Sequence, residues 1–394
     1  MKRILTLSPD TFIWINKHDG VVYNAKYHKA FEFKMTTQLY DLCLRLLDYD
    51  NLYSVEYNDD NNDSSIIHFI EDVVAIGAGL SHEENEIIFS LPPLLNIQHD
   101  YAMQELRDFE SQDYALRYLT KIVLYIGGEC DENIFYMQTE YPINTKSVLR
   151  YTDIVDFIQS TNSRYISEIC IVFSDLYHYT ELDILLECLV NLNLNITICL
   201  RDQDSPEIIK RLILSFPEIK VKLLYKPGNL RANLNLLDCN VVHTFLISSE
   251  EDYARVDSIS GKYSDGKIDF IPVYTGKNYD FFRDNVLLTK EEILSSNLTR
   301  RGVYMHQVLN TNYFGTLFVM PNKKVFSSVL SPPLGNISDS IYSLILEEMS
   351  KNYSWRKTRN QTHCKDCVLK YLCPSPSNYE KLMNLKCICT DIGC

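Results

Sequence analysis

From Cys364 to the C-terminus the chain holds six of its twelve cysteines: Cys364, Cys367 and Cys373 in one short run ending at Pro374, then Cys387, Cys389 and Cys394. Thiolates at Cys-x2-Cys-x5-Cys spacing on a short loop can converge on one metal or iron–sulfur centre. The first two grip from a tight turn and the third returns after one further turn or helical segment. A fourth ligand from Cys387 or Cys389 closes a tetrahedral set. Disulfides in a secreted chain are the competing reading of so many cysteines. Against it, polar residues arrive by Ser8-Pro9-Asp10, before any apolar stretch long enough for a signal peptide. No segment is long and apolar enough to span a bilayer. The expectation is a cytoplasmic protein with no membrane partner, in which a tight cysteine cluster binds metal. Cys43, Cys130, Cys170, Cys188, Cys199 and Cys239 stand alone in apolar or mixed stretches.

A chain of 394 residues, 46% of them hydrophobic, has room for two or three domains with a large core. Its net charge of −14 argues against a grip on nucleic acid, which needs a basic face. The many tyrosines suit a partner-binding face.

Residues 1–92 read as a small winged-helix-like unit. Strands at Thr11 to Ile15 and Val21 to Tyr23 flank a turn at His18-Asp19-Gly20. A helix capped by Thr36 or Thr37 runs to about Asp48, with Leu39, Leu42, Cys43, Leu46 and Leu47 on one face. A strand at Tyr53 to Tyr57, a polar loop to Asp63, a helix from Ser64 to Ile76 and a hairpin from Ser81 to Ser90 complete it. Residues 93–300 then alternate strands with helices. Apolar runs at Lys121 to Ile126, Glu168 to Phe173, Asn195 to Leu200, Val221 to Tyr225, Val241 to Ser248 and Ile268 to Val273 imply about six parallel strands. The fold class is α/β, a partial (β/α) barrel. Thr289 and Glu292 form a capping box. Residues 301–394 add a hairpin, Gly315 to Met320 with Lys324 to Ser328, a helix from Asp339 to about Ser350, and the cysteine loop. The chain has no Gly-rich phosphate loop, no Gly-x-Ser-x-Gly elbow and no His-Glu-x-x-His. Asp175 and His178 sit where barrel enzymes place catalytic groups, or are solvated loop residues.

The tail resembles a SPASM domain, the auxiliary-cluster extension of radical-SAM peptide-modifying enzymes, in the hairpin Phe318 to Val325, the Leu334-Gly335-Asn336-Ile337 turn and the cysteine run. Cys373-Pro374-Ser375-Pro376-Ser377-Asn378-Tyr379-Glu380 is similar to a narrower group, the pseudo-radical-SAM proteins of Bacteroidales-type peptide maturation systems. A radical-SAM core needs Cys-x3-Cys-x2-Cys after its first barrel strand. In the register of Gly127 to Met137 only Cys130 is a cysteine, and Ile134 and Met137 take the other two places. The alternative is that Cys130 is simply a buried thiol. The second strand runs into Phe173-Ser174-Asp175-Leu176, not a Gly-Gly-Glu-Pro-like turn. Either way no cleavage of S-adenosylmethionine is expected.

Ser327, Ser328 and Ser377 stand where the full SPASM pattern has further cysteines, so the resemblance implies one centre rather than two. It implies one 4Fe-4S cluster on Cys364, Cys367, Cys373 and Cys387, with zinc as the rival and Cys389 or Cys394 able to replace Cys387. The N-terminal unit resembles the recognition element of ribosomal-peptide maturation enzymes in Phe12-Ile13-Trp14 and Gly20 to Asn24. There a precursor peptide adds a strand beside the hairpin, which makes Val21, Val22, Tyr23 and Asn24 the candidate peptide-binding residues. The function implied is an inactive accessory protein that binds a precursor peptide and a partner radical-SAM enzyme. The alternatives are a zinc-stabilised scaffold or a barrel enzyme of unrelated chemistry.

Overall fold

The computed structural model describes residues 2–58, 64–83, 90–91, 93, 115–128, 140–160, 165–192, 194–201, 206–226, 240–260 and 268–390. Cys130, Ile134, Met137, Cys239, Cys394, most of the polar loop ending at Asp63 and most of the expected hairpin between Ser81 and Ser90 lie outside the described residues.

The N-terminal unit contains two small antiparallel sheets. Strands β1 (Lys2–Leu7), β2 (Thr11–Ile15), β3 (Asp19–Asn24) and β4 (Lys29–Lys34) precede helix α1 (Thr37–Leu47); β5 (Ser54–Asn58), helix α2 (Ser64–Ala75) and β6 (Gly79–Glu83) follow. One sheet has the order β5-β1-β6 and the other β2-β3-β4. The expected winged-helix-like order contained neither β1 nor β4. Thr36 caps α1 by accepting a hydrogen bond from the Leu39 N–H at 3.2 Å. Leu39, Leu42, Cys43 and Leu46 then fall on one buried face, at helical spacing. They pack with Leu5, Ile13, Val22, Phe69 and Val73. The turn expected at His18-Asp19-Gly20 lies slightly earlier. The Asn16 side chain accepts from the His18 and Asp19 N–H groups, each at 2.8 Å, and Gly20 is already in β3. Its missing side chain leaves room for the Phe33 ring, whose Cζ would lie 2.2 Å from a Cβ at position 20.

The central sheet is mixed and mostly parallel. Its strands are β7 (Lys121–Gly128), β8 (Thr145–Val148), β9 (Glu168–Phe173), β10 (Asn195–Arg201), β11 (Lys220–Tyr225), β12 (Val241–Ile247), β13 (Ile268–Pro272), β14 (Thr316–Val319), β15 (Lys324–Phe326) and β16 (Gly335–Asn336). The order is β13-β12-β11-β10-β9-β7-β14-β15-β16, with β8 paired to β7. Pairing is parallel from β13 to β14 and antiparallel at β15, β16 and β8. All six expected apolar runs are strands here. Both faces of β7, β9, β10, β11 and β12 are largely buried, which favours continuous apolar sequence, whereas the edge strand β13 is partly exposed. One face, with Ile122, Leu124, Ile169, Ile171, Ile198 and Leu223, packs on helices that include Tyr151–Ser160 and Leu182–Val190. The other carries Val123, Tyr125, Cys170, Val172, Cys199 and Leu224.

The tail hairpin continues this sheet through the β14–β7 pairing, and the indole N–H of buried Trp355 donates to the Thr316 carbonyl at 2.9 Å. At the other end of β7 the ladder shifts register around Gly127. Gly127 has φ +87, and a Cβ there would lie 2.2 Å from the Ser147 carbonyl oxygen and 2.8 Å from Pro321 Cβ. Gly127→Ala is therefore expected to cost about 1–3 kcal/mol of stability, read as a lowered midpoint of urea unfolding.

Candidate metal centre

The cysteine loop is built from tight turns. Thr362 Oγ1 accepts from the Cys364 N–H at 3.2 Å and opens the 3-10 turn His363–Asp366. The Cys367 N–H donates to the Cys364 carbonyl at 2.9 Å, and the Cys373 N–H to the Leu369 carbonyl at 3.0 Å. Cys387 and Cys389 arrive on a segment that makes an isolated bridge to Leu288. Leu288 N–H donates to the Ile388 carbonyl at 3.0 Å, and Thr390 N–H to the Leu288 carbonyl at 2.9 Å. The Thr289–Glu292 capping box holds the helix that follows Leu288.

The fold thus brings Cys364, Cys367, Cys373 and Cys387 together, and adds Cys389. All five belong to one apolar cluster with Phe12, Trp14, Val21, Tyr23, Ile293, Val303, Leu369, Tyr371 and Leu372. His363, next to the motif, is exposed. Burial pushes the thiols of Cys364, Cys367 and Cys373 above their ordinary range; the nearby guanidinium of Arg359 works the other way on Cys364 and Cys373, and the thiols raise one another. Left alone, these sulfurs hold their protons. A metal or cluster would take them as thiolates, the form in which cysteine ligates.

The surroundings fit such a guest. The indole N–H of Trp14 is buried with no acceptor, in the same cluster as the thiols, where thiolate or sulfide would offer one. Arg359 places one cation beside the anionic ligands. It is buried, paired to Glu380 through bonds of 2.5 and 3.2 Å, and donates from Nε to the Pro374 carbonyl at 2.9 Å. A groove of about 700 Å³ between β2 and the loop is lined by Trp14, Asn16, Tyr40, Lys365, Cys367 and Tyr371.

Val21, Val22, Tyr23 and Asn24 are fully buried. They lie on β3, hydrogen-bonded to β2 on one side and β4 on the other. This corrects the expectation that they present an open edge, because a central strand has no donors or acceptors left for an added one. Val22 packs into the N-terminal core and Val21 and Tyr23 into the cysteine cluster. The Tyr23 hydroxyl donates to the Leu298 carbonyl at 2.6 Å, which ties the N-terminal sheet to the chain beyond the central sheet. Asp175 and exposed His178 form a local pair at 2.5 Å. Arg359 and Glu380 carried no signal in the sequence, since neither follows a ligand spacing.

No protein-family model and no curated protein matches the chain. Among solved structures it is similar to SuiB of Streptococcus suis, at 11% identity and a TM-score of 0.46 with 97% of each chain covered. SuiB bound to the precursor peptide SuiA gives 13% identity, a TM-score of 0.43 and 98% coverage of each chain. The enzyme anSMEcpe with bound AdoMet gives 16% identity and a TM-score of 0.40, covering 64% of this chain and 87% of that one. Likenesses this distant leave the functional reading to the residues themselves. No described helix is long and apolar enough to cross a membrane.

Proposed function

We propose that the chain is an accessory protein of ribosomal-peptide maturation. In this reading a degenerate radical-SAM-like partial barrel carries a SPASM-like tail with one 4Fe-4S cluster. The observation that carries the proposal is the convergence of five tail cysteines, four buried and Cys367 half-buried, against the N-terminal sheet. Cys364, Cys367 and Cys373 would hold the cluster, with Cys387 or Cys389 as fourth ligand. A cluster so held supplies electron transfer or structural rigidity, depending on its potential and exposure. Zinc on the same thiols is the second reading, since four thiolates bind it well and demand no redox role.

The single cysteine at position 130 cannot anchor the cluster that reduces S-adenosylmethionine, so chemistry on the peptide falls to a partner radical-SAM enzyme. A precursor peptide would add to the outer edge of β4, which pairs only with β3 among the described residues, as does β2 at the other edge, where Phe12 and Trp14 pack in the cysteine cluster. Ala30 to Phe33 of β4 are half-buried, which suits recognition by added strand and flanking pockets.

Anaerobic expression with iron and zinc analysis and an absorption spectrum tests this, on the unsubstituted chain and on Cys364→Ala with Cys367→Ala. About four irons per chain, lost in the variant, are expected of a thiolate-held 4Fe-4S centre. One zinc and no visible absorption would replace the cluster with a structural clip. Formation of 5′-deoxyadenosine by the reduced protein would sink the accessory role.

A further inference from the structure

The sheet face away from its packed helices carries a second set of soft ligands. Cys170 on β9 stands opposite Val123 of β7 and Thr197 of β10. Cys199 on β10 stands opposite Val172 of β9 and Lys222 of β11. The register puts both on one face, one pleat apart, with their sulfurs 3.4 Å from each other. Both are fully buried. Glu140 comes in from the segment before β8, its Oε2 4.0 Å from the Cys199 sulfur and in hydrogen-bonding contact with Cys170. The three ligand atoms lie within 4.8 Å of one another.

An ordinary apolar core has no use for a carboxylate and two lysines at this point. Lys121 Nζ sits 2.8 Å from Glu140 Oε1 and 3.0 Å from Glu168 Oε1, and Lys222 Nζ sits 4.0 Å from Glu140 Oε2. Lys121 therefore fixes one oxygen of Glu140 and leaves the other turned to the sulfurs. A hydrogen bond of this kind to the far oxygen holds a metal-binding carboxylate in its aim. Burial opposes the charge of Glu140, but the charge and hydrogen bond of Lys121 outweigh it, with Lys222 adding to them, and hold the carboxyl below its usual range. Cys170 is pushed well up by its hydrogen bond to Cys199 and by burial.

We propose that Cys170, Cys199 and Glu140 bind one zinc-class divalent ion on this face, with Lys121 as the positioning residue for Glu140. Two thiolates and a carboxylate carry −3. The ion supplies +2, Lys121 and Lys222 one positive charge each and Glu168 one negative charge, so the assembly is neutral. On binding, both thiols give up their protons to solvent and no electrons move. Two sulfurs with one carboxylate suit a borderline ion such as zinc or cobalt better than magnesium or calcium. Zinc held by thiolates at about 2.3 Å places them about 3.8 Å apart, close to the separation found here. Lys121 and Glu168 open their respective strands and reach solvent, which gives the ion a way in.

The test is an anaerobic cobalt(II) titration of the full, chelator-treated chain. One arm carries Cys364→Ala and Cys367→Ala to disable the tail, and a parallel arm leaves the tail intact. With the tail disabled, one equivalent is expected, marked by thiolate-to-cobalt charge-transfer absorption in the near ultraviolet. It should vanish with Cys170→Ser and Cys199→Ser, and bind about 10–100-fold more weakly with Lys121→Met. With the tail intact, the two serine substitutions should remove one equivalent and spare the rest, which decides the matter if the tail variant does not fold. Cobalt uptake unchanged by both serines overturns the proposal, and so does thiol counting that finds Cys170 and Cys199 joined as a disulfide in the anaerobically purified chain.

Discussion

Glu380→Ala is expected to destabilise the protein by about 3–5 kcal/mol, the usual cost of removing one partner from a buried ion pair. The side chains of Arg359 and Glu380 are only 2% and 8% exposed. They meet as a two-pronged pair, with Arg359 also held by the Pro374 carbonyl. Glu380 Oε2 further accepts from the Ser377 N–H at 2.9 Å and so caps the helix Asn378–Leu382. Alanine would strand a guanidinium that cannot shed its proton. Chemical unfolding of the two proteins side by side reads the loss. Arg359→Leu together with Glu380→Leu should cost much less, because no charge is left behind. That double variant should nevertheless bind its tail centre more weakly, since Arg359 opposes the protonation of Cys364 and Cys373. A loss below about 1 kcal/mol for Glu380→Ala would mean the pair behaves like an exposed one and would remove this account of how the loop is held.

The same contrast between local and distant partners governs what could be read from the residues in order. Five of the six parallel strands were legible because strands buried on both faces need unbroken apolar runs, and β9, Glu168-Ile169-Cys170-Ile171-Val172-Phe173, shows nearly nothing else; the edge strand β13 is partly exposed and carries Asp269. β1 was not, because it opens with Lys2 and Arg3 and its identity depends on β5 and β6, each dozens of residues away. β4 alternates Phe31 and Phe33 with Glu32 and Lys34, a period-two signal that was there to be used. Missing it made β3 look like the open edge of a hairpin, when a third strand covers it. The grouping of the tail cysteines was legible because Cys-x2-Cys-x5-Cys is a local spacing. Cys170 and Cys199 were not. They are 29 residues apart, each a lone cysteine in an apolar strand, and only the parallel register puts them on one face.

Cys387→Ala and Cys389→Ala should each leave the tail centre in place, while the two together should abolish it. Both thiols sit on one segment pinned to Leu288, and both are buried in the cysteine cluster. Each reaches two of the three loop thiols: Cys387 acts on Cys364 and Cys367, and Cys389 on Cys367 and Cys373. Either could complete a four-thiolate set, so the loss of one is met by the other. Losing both leaves three thiolates among the described tail cysteines and an open fourth position rather than a closed site. Structural thiolate sites contribute apparent binding energies of about 10–16 kcal/mol when the metal is zinc, more than most domains have to spare. The double variant should therefore lose its iron or zinc, and the N-terminal sheet should come away from the tail, because Phe12, Trp14, Val21 and Tyr23 pack on the same cluster. Metal analysis reads the first effect, and hydrogen exchange at the amides of Phe12 to Trp14 reads the second. Complete loss of metal in either single variant would identify that cysteine as the fourth ligand and end the idea that the two are interchangeable.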